Sequence, residues 1–253
     1  MIGGTARVVG APLCRWVRFA MFGALAALAA APAAAWEIRT EAPEVDLEAF
    51  HRRFAIAAYA FPRHSAKPLG LVGFDFWADA SYVPDFEDEP FAATVVGGDL
   101  TNGAIAVARA GVRKGLPGRI DLGLSYGRAL ETDLDLITAE VQWAIHEGGA
   151  VTPAIGIRLT GTESQGDESY HLRQYGAEAL VSKGFAILTP FAGAGVVHSE
   201  GRFGRPLGGD FETEDTRGVV FGGLTLNLLI PKITVEVERG EDWQAAARVS
   251  VGF

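Results

Sequence analysis

The sequence predicts an all-β protein: an antiparallel, up-and-down transmembrane β-barrel of about ten strands, preceded by one short helix. Apolar and polar residues alternate from Lys67 to the end, tight turns alternate with longer polar loops, and the last strand has one apolar and one polar face. The 253-residue chain is 49% hydrophobic, yet after residue 35 no apolar run is long enough for a membrane helix. A soluble β-sandwich is the alternative fold.

Residues 1–35 are typical of a secretory signal peptide. Three Arg precede an apolar run at residues 19–31, and residues 33–35, all Ala, offer a cleavage site before Trp36. The alternative, a transmembrane anchor, needs about 20 apolar residues, and this run is shorter. Cleavage would remove Cys14, the only cysteine, so we expect a mature chain without disulfides.

The charge balance argues against a nucleic-acid partner. The formal net charge is −9 at pH 7, and the predicted signal peptide contains Arg but no acidic residue. The mature chain is therefore expected to be more acidic still, whereas nucleic-acid binding needs clustered Lys and Arg.

Residues 36–66 form a separate predicted segment with a short helix. Apolar residues recur there at helical spacing, Asp46 is placed as an N-cap, and Pro62 would end the helix. The apolar positions are Leu47, Phe50, Phe54 and Phe61. We expect a periplasmic helix against the barrel mouth. A plug that enters the lumen is the alternative, and an extra strand over 54–61 would give an odd strand count.

The barrel is predicted over residues 67–253. Its ten strands are expected at about 69–82, 101–113, 119–130, 134–146, 151–161, 171–182, 185–198, 217–229, 232–239 and 242–253. Tight turns lie at 114–118, 147–149, 183–184 and 230–231, and longer polar loops at 83–100, 162–170 and 199–216. Tight turns face the periplasm in such barrels, and an even strand number then places both termini on the periplasmic side. Short connections at 131–133 and 240–241 make the alternation imperfect.

The last strand carries the resemblance to a known family. Its apolar face is Trp243, Ala245, Ala247, Val249, Val251 and Phe253. Ending on such a strand with a terminal Phe, the chain resembles bacterial outer-membrane β-barrel proteins, including porin-like ones. The resemblance implies an outer-membrane location and contact with membrane lipid and lipopolysaccharide. It also implies that Trp243 and Phe253 form an assembly signal read by the barrel assembly machinery.

Strand periodicity predicts which charged side chains point into the lumen. They are Asp75, Asp121, Glu140, Arg158, Glu178, Glu236 and Arg248, with Arg109 if its strand faces that way. Glu140, Arg158 and Glu178 lie on three consecutive predicted strands, which suggests a ladder of paired charges. A barrel near eight strands can be filled by side chains. We therefore expect a largely filled, charge-paired lumen, and a narrow cation-favouring channel is the alternative.

The predicted outer loops are acidic but match no known cofactor motif. The acidic residues are Asp85, Glu87, Asp88 and Glu89 in the first loop and Asp210, Glu212, Glu214 and Asp215 in the last. They do not follow the calcium-loop pattern, and the chain has no zinc spacing or phosphate-binding loop. No cofactor or metal is therefore predicted.

Two enzyme families use barrels of this general size. Omptin-like proteases place acidic pairs and an Asp–His pair across the rim. Here Asp133 with Asp135, and His198 with Glu200, lie near a rim, but the histidine comes before its acidic partner rather than after it. Lipid A deacylase-like barrels use a His-x-Ser pair, whereas His198 and Ser199 are adjacent and point to opposite faces. We therefore expect a non-enzymatic barrel of structural or interaction type, with a rim hydrolase as the weakest alternative.

Overall fold

A computed structural model describes residues 36–98, 103–205, 209–228 and 230–253. The predicted signal peptide, with its cleavage site and Cys14, lies outside the described residues. So do parts of the first and last long loops. Among the described residues, no helix is long and apolar enough to span a membrane.

The predicted fold class is confirmed: ten strands form one closed barrel in which all neighbours are antiparallel. They are β2 Phe74–Val83, β4 Ile105–Leu116, β5 Ile120–Ala129, β6 Asp135–His146, β7 Ala154–Gln165, β8 Tyr170–Ser182, β9 Leu188–Phe203, β10 Phe211–Asn227, β11 Pro231–Arg239 and β12 Trp243–Gly252. Before and between them lie β1 Trp36–Ile38, helix α1 Glu44–Ala58, helix α2 Ala92–Val95 and β3 Val96–Gly98. The strands β1 and β3 pair with each other as a separate sheet.

The two ends of the barrel differ. The connections after β4, β6, β8 and β10 lie at one end, the turn end. Those after β2, β5, β7, β9 and β11 lie at the other, the loop end. The predicted loop at 199–216 is mostly strand, because β9 and β10 stay paired as far as Phe203 with Phe211. Its outward side chains are polar, so the sequence lacks the apolar alternation there although the backbone ladder continues.

The outer face is apolar along most of the wall. The outward side chains of β6, β7 and β11 follow the apolar alternation of the sequence and include Val141, Ile157 and Val235. Outward aromatic residues lie near both ends of the strands: Tyr82, Tyr126, Tyr175 and Trp243 toward the loop end, and Phe76, Trp143 and Phe253 toward the turn end. Such aromatic girdles border the apolar band of membrane barrels.

Two strands, β4 and β9, have small or apolar residues on both faces, and the structure defines which face is inward. On β4, Arg109 is buried in the lumen with Ile105 and Val107, so the alanine row faces outward. On β9, Phe191, Val197 and Ser199 face inward. His146 shares strand parity with the inward Gln142 but is exposed, because the register between β6 and β7 shifts between Ala144 and His146.

The N-terminal segment enters the barrel at the loop end. Strand β1 pairs with β3, which belongs to the connection after β2. Helix α1 and residues 59–69, which are neither helix nor strand, then pass through the lumen to the turn end, where β2 begins. We call residues 44–69 the internal segment. The helix is present near the N-terminus as predicted, but it lies inside the barrel, as in the plug alternative, rather than against its mouth.

Two related expectations need correction. Trp36, the first residue after the predicted cleavage site, and Phe253 lie at opposite ends of the barrel, so the two ends of the predicted mature chain do not share one side as expected. Asp46 is not the N-cap, because α1 begins at Glu44 with Pro43 at the cap position. Asp46 instead accepts a hydrogen bond from Thr94 Oγ1 at 2.7 Å, which ties the first turn of the helix to the loop end.

The end of the chain completes the seam between β12 and β2. Phe253 N and O exchange hydrogen bonds with Phe74 O and N at 3.0 and 2.9 Å. The Phe253 ring centroid lies 6.0 Å from that of Phe74 and 6.4 Å from that of Phe76. The terminal aromatic residue therefore packs across the closure point of the barrel, while its side chain stays exposed on the outer face.

Candidate functional site

The lumen is the candidate functional site, because all ten strands place a polar side chain in contact with the internal segment. One contributor per strand, in chain order, is Ser81, Arg109, Asp121, Gln142, Arg158, Gln174, Ser199, Arg217, Glu236 and Arg248. Most of these side chains bind backbone atoms of the segment. They replace the hydrogen bonds that water would otherwise make to buried peptide groups.

Arginines of the wall donate to carbonyls where helix α1 ends. Arg217 Nη2 lies 2.9 Å from Ala55 O. Arg109 Nη2 lies 3.0 Å from Ala57 O and 2.7 Å from Ala58 O. The last carbonyls of a helix have no partner within the helix and form the negative end of its dipole. Buried guanidinium groups therefore satisfy this helix end.

Further along the segment, Arg158 joins the wall to the chain inside it. Its Nη2 donates to Ala60 O at 2.7 Å. The same guanidinium donates to Glu140 Oε2 through Nε and Nη2, at 2.8 and 2.6 Å, and to Glu178 Oε2 through Nη1 at 2.8 Å. Both carboxylates are buried. One cation therefore holds two carboxylates of neighbouring strands and a backbone carbonyl of the internal segment.

A second charge cluster surrounds Asp79. Its carboxylate accepts from Arg248 Nη2 at 2.7 Å and lies 2.9 Å from Arg63 Nη1 of the internal segment. Arg248 also donates to Pro62 O at 3.0 Å, and its guanidinium lies 3.8 Å from the Trp77 ring centroid. Glu236 accepts from the Arg63 backbone N at 3.3 Å. Wall and segment thus share one ion-paired network.

Asp75 and Asp121 lie nearer the turn end. Asp75 pairs with Lys232, with Nζ and Oδ1 3.3 Å apart. Asp121 accepts the backbone N–H of Leu69 at 3.0 Å. All seven charged residues expected in the lumen are buried. They do not form one cluster: some surround Arg158, some lie near Asp79 and Arg63, and Asp75 and Asp121 lie nearer the turn end.

Several lumen residues were missed by sequence reasoning. Asp79 was omitted although it shares strand parity with Asp75, so the same periodicity could have found it. Arg113 and Arg217 could have been found in the same way. Arg63 carries no such signal, because it lies on the internal segment outside any strand.

Inward glycines make room for bulky side chains of the internal segment. A side chain at Gly176 would overlap the Tyr59 hydroxyl, and one at Gly201 would overlap the His51 ring. Tyr59 itself bonds Thr160 Oγ1 at 3.1 Å. Strands β8 and β9 can therefore lie this close to the internal segment only because glycine has no side chain at these two positions.

An apolar cluster surrounds the first half of α1 at the loop end. The Phe50 ring packs against rings of the loop connections and strand ends, with centroid distances of 5.6 to 6.4 Å. Its partners are Trp36, Phe86, Phe91, Tyr170 and Phe203. Because these rings are buried, the loop end is covered by an aromatic cap.

The two rim pairs, Asp133 with Asp135 and His198 with Glu200, lie on or beside different strands and have separate partners. Asp135 pairs with Arg128 at 2.6 Å, and His198 bonds Thr216 Oγ1 at 2.8 Å on the outer side of the wall. His198 Nε2 lies 3.6 Å from Glu200 Oε1. Ser199 instead points inward, where it lies 3.1 Å from His51 Nε2.

The acidic loop residues are spread over the loop end. Asp210 and Glu212 lie 3.2 and 3.6 Å from Arg202 Nε, and Glu89 lies 3.7 Å from Arg53 Nε. Among the residues that the structure describes, no group of three or more His, Cys, Asp or Glu could hold a metal ion.

The chain is similar to several solved structures of bacterial outer-membrane β-barrels. With the N-terminal β-barrel domain of Pseudomonas aeruginosa OprF it shares 14% identity, covering 73% of this chain and 99% of that one, with a TM-score of 0.35. With Neisserial surface protein A it shares 11% identity, covering 71% of this chain and 97% of that one, with a TM-score of 0.32. With LpxR from Salmonella typhimurium it shares 12% identity, covering 70% of this chain and 99% of that one, with a TM-score of 0.38. Likeness at this level says nothing about what the protein does.

No protein-family model matches the chain, and no curated protein matches it.

Replacing Gly176 by Leu is expected to lower the melting temperature of the folded barrel in detergent. The new side chain would overlap Tyr59, and overpacking typically costs about 1–3 kcal/mol of unfolding free energy. Gly218→Leu is the matched control, because Gly218 faces outward and has open space around it. Equal melting temperatures for the two variants would show that Tyr59 does not pack against β8.

Proposed function

We propose that the protein is a non-enzymatic bacterial outer-membrane β-barrel of structural or interaction type, whose own N-terminal segment keeps the lumen closed. The observation that carries this proposal is the contact of all ten strands with residues 44–69. A path for solutes would need this space. The Arg158 contacts alone join three strands and the segment across it.

Membrane insertion is supported by the surface of the barrel. Its outer face is apolar with aromatic residues toward both ends, while the buried charged side chains lie on its inward face. A soluble protein rarely exposes so large an apolar surface, and a membrane strand needs lipid-facing apolar side chains. Outer-membrane lipid and lipopolysaccharide are therefore the proposed surroundings of the wall.

The proposed orientation places the turn end in the periplasm and the loop end outside the cell. Long connections and charged outward residues, including Arg173, Arg202 and Glu214, lie at the loop end. Strand β1 would then lie on the outer side together with the acidic loops, and the exposed polar residues there are the surface offered to partners.

We also propose that the barrel assembly machinery recognises Trp243 and Phe253 as an assembly signal. Deletion of Phe253 is expected to lower the amount of protein in the outer membrane, measured by fractionation. A normal amount of the truncated protein in the membrane would contradict this role.

Two other functions have weaker support. A narrow channel would require the internal segment to leave its contacts. A rim hydrolase would require His198 to work with residues that lie on the outer side of the wall, where its bonded partner is Thr216. Neither has a specific observation in its favour.

In a planar lipid bilayer, the unmodified protein is expected to show little steady conductance, because the internal segment fills the lumen. The double variant Arg109→Gln/Arg217→Gln loses the guanidinium groups that bind the end of α1 and is expected to conduct more often. Arg202→Gln is the control, since Arg202 is exposed on the outer face. A large steady current through the unmodified protein would contradict the closed barrel and favour the channel.

Single cysteines test the orientation, since the predicted mature chain has none. A cysteine at the exposed position Glu37 is expected to react with a membrane-impermeant maleimide on intact cells, whereas one at Gly148, in the turn after β6, is not. Labelling at Gly148 alone would mean that the barrel is inserted the other way round.

A further inference from the structure

The turn end of the lumen contains two connected cavities. The outer one, the vestibule, has a volume of about 540 Å³ and is bordered by the turns after β6 and β8 and by Phe253. The deeper one, the inner pocket, has a volume of about 80 Å³. Both are lined by Ser65, Lys67, Leu69, Thr189, Asn227 and Lys232, so the vestibule leads directly into the inner pocket.

Arg113 lies at the inner pocket and is buried, with 3% of its surface exposed. Its Nε and Nη1 atoms have no hydrogen-bond partner among the described residues. Its neighbours Asp75 and Asp121 are bound elsewhere, to Lys232 Nζ and to Leu69 N respectively. A buried guanidinium without a bound acceptor is costly, and here it borders a space that an acceptor can enter.

Apart from Asp75, which is paired with Lys232, the rest of the lining suits an anion. Lys67 adds a positive charge that is not neutralised, because it is exposed and has no ion pair within the described ranges. Thr225 and Thr234 hydroxyls bond each other at 2.8 Å, which leaves one of the two hydrogens free to point elsewhere. Ser250 adds a third hydroxyl.

We propose that the inner pocket binds a small tetrahedral oxyanion of the size of phosphate, which enters from the turn end. Arg113 is the buried anchor, and Lys67 attracts the ion through the vestibule. The pocket volume of about 80 Å³ is large enough for several water molecules, and one such ion can take their place. Under the proposed orientation, the ion comes from the periplasm, although binding itself does not depend on that orientation.

Isothermal titration of the purified full-length barrel in detergent with sodium phosphate, at constant ionic strength, tests the site. One saturable site is expected. Arg113→Gln should weaken phosphate binding roughly ten- to a hundredfold, because it removes charge-assisted hydrogen bonds. Arg119→Gln is the matched control: this arginine lies at the same end but is exposed and paired with Glu147, and its loss should leave the affinity unchanged.

Lys67→Gln provides an independent test, since Lys67 is exposed and its replacement should not affect folding. Here we expect a loss of about threefold or more, because the anion keeps Arg113 but loses one nearby charge. Heat-dependent gel migration checks that each variant is folded. Absence of saturable phosphate binding by the unmodified protein, or unchanged affinity in Lys67→Gln together with unchanged affinity in any folded Arg113 variant, would overturn the proposal.

Discussion

The hydrogen bonds from wall arginines to backbone carbonyls of the internal segment are the interaction on which the rest of the structure depends. A chain that crosses a barrel interior without regular strand pairing carries peptide groups that water cannot reach. Arg109, Arg158, Arg217 and Arg248 supply donors along this path. Because a guanidinium has five donors in a fixed plane, one side chain can bind the segment and a wall carboxylate together, as Arg158 does.

This arrangement explains why the lumen contains nearly balanced buried charge. Each arginine needed by the segment must also be neutralised, since a lone buried cation is unstable. Glu140, Glu178 and Asp79 perform that role from neighbouring strands. Around Phe50 at the loop end the peptide groups are bonded within helix α1, and the apolar side chains of the helix pack against the aromatic cap. The change from apolar to ionic packing thus follows the change from helix to irregular chain.

Much of the barrel wall could be predicted from the sequence, but little of the internal segment that fills the lumen. Strand periodicity has a strict period of two, so Glu140 and Arg158 were assigned inward from their neighbours alone. The strand at 185–198 was ambiguous because both of its faces carry small or apolar residues, and its orientation depends on the contents of the lumen. The sequence did not determine whether α1 lies inside the barrel or outside it. An apolar stripe with Phe50 and Phe54 fits a helix inside the barrel or against its mouth, and only the pairing of distant arginines with its carbonyls distinguishes the two.

Disulfide formation between Ala66→Cys and Gly156→Cys tests most directly whether the internal segment lies in the lumen. An ideal Cβ at Gly156 on β7 would lie 3.7 Å from Ala66 Cβ, which is close to the mean separation of about 3.8 Å in disulfides. Mild oxidation of the membrane-inserted protein should give a fast-migrating species on non-reducing gels. The pair Ala66→Cys with Gly218→Cys, whose second position faces outward, should give none. Failure of the first pair to cross-link, with both cysteines present and reduced, would contradict a segment held inside the barrel.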